Sequence, residues 1–255
     1  MNTTTVPPRG PSLLELTTQV LRSPSSLLAG GDPRRTLAQV TVPLLVLCMI
    51  GAGVFGAVVG SYRGGLQYLF APLKLPLLLL VPLLVGLPAV RSLYRACDVS
   101  VGHAHVVLAA LIGVARAALL AATVGPFLWL LYSLHIDYHL AVLLMAGALC
   151  VTGGVGVITM IQLLPRGGRH RWLAHLASLA VLGSLWAQSG WMLRPFVVRP
   201  RAEITLLRPV ESDVVSSIRA AWRSARGDYS GWDAEPAGLL GHMGEDASDS
   251  TEAER

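Results

Sequence analysis

Charged residues are scarce in this sequence of 255 residues: they make up 14% of the chain, against about 25% in ordinary soluble domains. They are absent altogether from five apolar runs of 16 to 25 residues, a length that brackets the ~20 residues of a membrane-crossing helix. A soluble fold could bury one such helix, but not five. The sequence therefore predicts an all-α, polytopic transmembrane helical bundle of about five spans. The predicted spans are residues 37–60, 75–90, 117–134, 140–164 and 172–193.

Groups that commonly carry enzyme chemistry are missing as well. The three cysteines, Cys48, Cys97 and Cys150, show no spacing typical of a zinc site or a disulfide framework. No P-loop, GxSxG or HExxH motif is present, and the five runs contain no carboxylate for proton coupling or intramembrane proteolysis. We expect no enzymatic activity, no cofactor and no metal.

The net charge of +5 is unevenly distributed, with +12 on residues 1–227 and −7 on residues 228–255. The basic part fits contact with membrane lipid headgroups, so nucleic acid is not an expected partner. Nineteen arginines accompany a single lysine, and Asn2 is the only asparagine. This preference for arginine over lysine, with almost no asparagine, is typical of proteins encoded by GC-rich bacterial genomes.

Four segments follow from composition. Residues 1–36 form a cytoplasmic N-terminal segment, in which Ser12 and Glu15 predict a capping box and a short amphipathic helix on the membrane surface. Residues 37–193 form the transmembrane bundle. Residues 194–227 form an extracytoplasmic amphipathic segment, and residues 228–255 form an acidic, disordered tail.

Arginine positions predict the orientation in a bacterial cytoplasmic (inner) membrane. With the N-terminus in the cytoplasm, the inner segments that precede the last span hold nine arginines, and the outer loops hold only Arg63. The arginines that follow the last span at positions 194, 199, 201 and 208 then lie outside, against the positive-inside rule. Either this tail is an exception, which we favour, or one apolar segment is re-entrant.

Small residues repeat every four positions, a pattern that lets helix backbones approach closely in lipid. We expect helix packing at Gly56, Gly60, Gly64, Gly113 and Gly154. The second span carries four prolines and should be kinked or partly unwound. A Gly125-Pro126 step predicts a break near the end of the third span.

Two cations lie where charge is costly. Lys74 begins an apolar run, and Arg116 lies at the edge of the third span. Each could contact a partner inside the bundle, but the favoured interpretation is a side chain that reaches outward to the headgroups. His135, Asp137 and His139 resemble a metal site only weakly, because no third ligand of suitable type is fixed beside the two histidines.

Two stretches carry a resemblance to a family. The first contains Gly56, Gly60 and Gln67, followed by Lys74; the second runs from Gly183 through Gln188 and Trp191 to Arg194. Together they resemble a group of small multi-span bacterial membrane proteins of unknown function, some labelled as actin-binding homology domain proteins. The resemblance implies a shared bundle with a polar, ligand-binding cluster. Its members would be Gln67, Lys74, Gln188, Trp191 and Arg194.

These patterns favour a non-enzymatic scaffold or accessory subunit that packs against helices of other membrane proteins or of a second copy. One alternative is a carrier of lipid or a small anionic solute, held by Lys74 and Arg194. A second alternative is a membrane-shaping protein that uses its surface helices.

Overall fold

The computed structural model describes residues 12–29, 31–136, 138–165, 167 and 170–193, without the side chains of residues 138, 139 and 191. The predicted segments 194–227 and 228–255 lie outside the described residues. Every regular element within the described part is a helix, which confirms the predicted all-α class. The helices are α1 (Leu13–Arg22), α2 (Ser26–Ala29), α3 (Pro33–Ser61), α4 (Gln67–Ala96), α5 (His103–Ser133), α6 (Tyr138–Leu163) and α7 (Arg171–Leu193).

Four of these helices are long and apolar enough to cross a membrane: α3, α4, α5 and residues Leu140–Leu163 of α6. With 24 to 31 residues each, they exceed the ~20 residues that a bilayer core requires. The fifth predicted span coincides with α7, a helix of 23 residues that is not among these four. The count of five spans therefore stays a prediction.

The helices are neighbours in the order α6, α5, α3, α4, α7, which differs from their order in the chain. The central pair, α3 and α5, runs parallel, because Gly51 lies opposite Ala118 and Gly125 lies opposite Val58. Both edge helices run antiparallel to their neighbours. Although α6 and α7 are consecutive in sequence, α6 packs against α5 and α7 packs against α4.

Glycines set the closest approaches between helices. A Cβ on Gly60 would lie 2.5 Å from the Gln67 carbonyl oxygen, and one on Gly56 would lie 2.6 Å from the Pro72 Cα. Between α5 and α6, a Cβ on Gly113 would lie 2.6 Å from the carbonyl oxygen of Gly156. Any side chain at these positions would push backbones apart, so the predicted packing glycines of α3 and α5 lie where helices touch.

Two of the expected packing glycines have other positions. Gly64 lies beyond the end of α3, with φ of +75°, and nothing lies within 4 Å of its Cβ direction. It helps to form the turn into α4, because glycine adopts positive φ without strain. In α6 it is Gly156, not Gly154, that meets α5. An apolar helix gives no sequence signal for the face that packs.

The prolines do not break their helices. Pro72, Pro76, Pro82 and Pro88 all lie inside α4, which is continuous from Gln67 to Ala96, so the predicted unwinding is absent. Likewise α5 continues through Pro126 to Ser133, against the predicted break. A proline removes one backbone hydrogen bond, and the remaining bonds of a helix of about 30 residues preserve the helix in apolar surroundings.

The N-terminal helix α1 begins as predicted. The Ser12 hydroxyl accepts a hydrogen bond from the Glu15 backbone N–H at 3.3 Å, and the Glu15 carboxylate accepts one from the Ser12 N–H at 2.9 Å. Part of its apolar surface, however, lies on protein: Leu16 and Val20 are fully buried where α1 packs against α3 and α5, whereas Leu14 is 78% exposed. Leu16 and Val20 therefore pack against the bundle and are not available for insertion into lipid.

Candidate functional sites

Lys74 is buried inside the bundle. Its side chain is 1% exposed, so the expected outward reach to lipid headgroups is wrong. Gln67, two turns earlier on α4, is fully buried as well. Seven residues bring the two side chains back to nearly the same helix face, about 10 Å apart along the axis. This face of α4 therefore carries two buried polar side chains.

The structure assembles the rest of the predicted polar cluster only in part. Gln188 is half-buried on α7. The contacts from Trp186 to the Leu79 carbonyl and from Gly190 to Leu78 place it beside the Leu78–Leu79 level of α4. That level is about one helical turn from Lys74. The side chain of Trp191 and all of Arg194 lie outside the described residues.

Arg116 links three helices. Its Nη1 donates to the Thr159 hydroxyl of α6 at 2.9 Å, and its Nη2 donates to the Leu21 carbonyl of α1 at 3.1 Å. Thr159 is itself 1% exposed and donates to the Val155 carbonyl at 2.7 Å. The favoured prediction had this side chain reach outward to the headgroups, whereas the structure shows the guanidinium bonded within the bundle, where it holds α1 against the α5–α6 pair.

A cleft of about 530 Å³ opens beside this guanidinium. Arg116 and Arg22 supply two positive charges, and none of the described residues that line the cleft is acidic. The Nε of Arg116 is buried and has no hydrogen-bond partner. The remaining lining residues are Ser23, Pro24, Ser25, Gln162 and Leu163. We call this feature the arginine cleft.

Other polar contacts between helices were not predicted from the sequence. The Tyr94 hydroxyl of α4 hydrogen-bonds to Nδ1 of His175 on α7, and the two rings also contact each other. His105 Nε2 lies 2.8 Å from the carbonyl oxygen of Leu163 at the end of α6. Each contact joins residues more than 50 positions apart in sequence, so no local pattern could reveal it.

One face of α6 is open. Leu143 and Val151 are each 68% exposed, and Cys150 is exposed. Gly147 and Gly154 lie on the same side of the helix by their spacing, and among the described residues nothing lies within 4 Å of their Cβ directions. We call these five residues the α6 outer face. Only 22% of the apolar window of α6 is buried, against 67% for α5, so most residues of this window are at least partly exposed within the described structure.

The described residues contain no group of three or more metal-ligating side chains. His135 follows α5 in an exposed turn with φ of +56°. Asp137 and the side chain of His139 lie outside the described residues. In the loop that carries His135, Asp137 and His139, the structure therefore describes too few side chains to show an arrangement of metal ligands.

Comparisons with known proteins identify no relative. No protein-family model, curated protein or solved structure matches the chain. The resemblance to small multi-span bacterial membrane proteins therefore stays a prediction from two motifs.

Proposed function

We propose that this chain is a non-enzymatic scaffold or accessory subunit of a bacterial inner membrane, with its N-terminus in the cytoplasm. Its partner is a transmembrane helix of another polypeptide, which packs on the α6 outer face. α7 serves as a fifth span in this proposal. The four long apolar helices support the membrane location.

The open glycines of α6 carry this proposal. Within the bundle, Gly56, Gly60 and Gly113 lie where a second backbone approaches closely, and Gly147 and Gly154 offer the same flat surface with nothing on it. In lipid, helices associate through close van der Waals packing, since apolar burial gives no driving force there. A helix with small side chains would therefore pack more closely on the α6 outer face than lipid chains do, and would gain van der Waals contacts there.

Cys150 provides the test, because it is exposed on the α6 outer face and the other two cysteines, Cys48 and Cys97, are buried. A benzophenone maleimide attached to Cys150 in native membranes should, on illumination, give one protein adduct of defined size. Its mass identifies the partner, including a second copy. A labelled chain that crosslinks only to lipid would refute the proposal.

The control variants compare two open glycines. Gly154→Leu places a bulky side chain on the α6 outer face and should abolish the adduct. Gly183→Leu, at an exposed position of α7 that is equally free of contacts, should leave it unchanged. An adduct that survives Gly154→Leu would also contradict the proposal, since it would not depend on the face.

A second candidate is a carrier for lipid or a small anionic solute, which the burial of Lys74 favours. A cation is costly inside a membrane and commonly marks a substrate path. Lys74→Ala and Arg194→Ala should then each abolish lipid movement or anion uptake in liposomes. Unchanged rates in both variants would eliminate the carrier.

A further inference from the structure

We propose that the arginine cleft binds a phosphate group. Two guanidinium groups, Arg22 and Arg116, line it, with the serines at positions 23 and 25 beside them. Guanidinium groups match phosphate oxygens with paired, charge-assisted hydrogen bonds, and hydroxyls add further donors. A bound anion would also relieve the repulsion between two cations that share one cleft.

The contacts of Arg116 leave donors for such a ligand. Two of its five N–H groups donate to Thr159 and Leu21, which fixes the guanidinium plane. Each Nη carries two N–H groups and donates only one of them within the described residues, so one N–H on each Nη remains for an acceptor in the cleft. Arg22, by contrast, is exposed and has no hydrogen bond or ion pair with the described residues. Arg116 is thus held in place by its hydrogen bonds, whereas the exposed side chain of Arg22 can move towards a bound phosphate.

The location fits a phosphate at a membrane surface. The apolar span of α6 ends at Leu163, and Gln162 and Leu163 form one wall of the cleft. The opposite wall is the turn between α1 and α2. Phospholipid headgroups begin where an apolar span ends, and basic pockets on the cytoplasmic side of helical bundles hold them. A volume of about 530 Å³ falls within the usual range of small-ligand pockets.

The test uses the purified full-length chain and two phosphate sources. In one arm, native mass spectrometry counts phosphatidylglycerol and phosphatidylcholine molecules retained from mixed vesicles. In the other, inorganic phosphate is titrated in a neutral detergent while the melting temperature is followed. Because Arg116 also holds α1 in place, the informative variant is Arg22→Gln at the exposed arginine. Arg95→Gln, an exposed arginine near the end of α4, is the matched control.

We expect Arg22→Gln to weaken phosphate binding about tenfold, or about 1.4 kcal/mol, because the variant loses a charge-assisted hydrogen bond to the phosphate. Arg95→Gln should bind as the wild type does. Selective retention of phosphatidylglycerol identifies a lipid headgroup, and stabilisation by inorganic phosphate identifies a free anion. The proposal fails if neither probe binds, or if both variants bind equally well. Either result leaves the partner proposed for α6 untouched.

Discussion

The crossing of α5 and α6 gives the sharpest test of the packing. At Gly156, an added Cβ would lie 2.7 Å from the Gly113 carbonyl oxygen and 2.9 Å from the Ala117 Cβ. A carbon–oxygen contact normally needs about 3.4 Å, so Gly156→Ala must separate the helices by about 0.7 Å. Such overpacking costs about 1–3 kcal/mol. The neighbouring Gly154→Ala meets nothing within 4 Å and serves as the control.

Both substitutions gain the same intrinsic helix propensity, about 1 kcal/mol for alanine over glycine. The difference between the two variants therefore isolates the contact with α5. We expect Gly156→Ala to unfold with a free energy about 1–3 kcal/mol below that of Gly154→Ala, measured by SDS titration from neutral micelles. Equal stabilities would refute the close approach of these two helices, and with it the assignment of the opposite side of α6 as open.

Three further outcomes follow from single side chains. Lys74, the only lysine and 1% exposed, should resist amine acylation in micelles while the N-terminal amine reacts; labelling before unfolding would contradict its burial. Tyr94→Phe removes the hydrogen bond to His175 and should lower the free energy of unfolding by about 1 kcal/mol, whereas an unchanged value would show that the bond adds nothing. Hydrogen bonds from the Ser12 backbone and hydroxyl lower the pKa of Glu15 below its usual value. Its capping contribution is therefore present above that usual value and is lost as pH falls through the lowered pKa. Amide protection factors in α1, which correct for the intrinsic pH dependence of exchange, should therefore fall at acidic pH in the wild type but not in Glu15→Ala.

Much of the fold was predictable because the length and apolarity of a short segment decide whether it forms a membrane-crossing helix. A run of about 20 apolar residues becomes a helix in lipid, since its backbone groups have no other hydrogen-bond partners there. The four long helices contain the first four predicted runs apart from the last residue of the third and of the fourth, and α7 contains the fifth. The capping box at Ser12 and Glu15 was predictable for the same reason, because both partners lie within one helical turn.

The candidate sites depended on contacts between distant residues. Lys74 and Arg116 have the sequence context of cations that reach out to headgroups, yet one is buried in α4 and the other bonds to α1 and α6. Arg22 and Arg116 share a cleft although 94 positions separate them. No local pattern encodes such proximity, because it arises only when α1 folds back on the bundle.

The sequence by itself determined which segments are helices, which of them are apolar enough for lipid, and where small residues permit close approach. Tertiary structure decided which glycine meets which backbone, and this separates Gly156 from Gly154 two positions away. The physical reason is that α6 is apolar on every side, so hydrophobicity cannot choose its packed face. The close approach of the α5 and α6 backbones determines the packed face of α6, and the α6 outer face stays open.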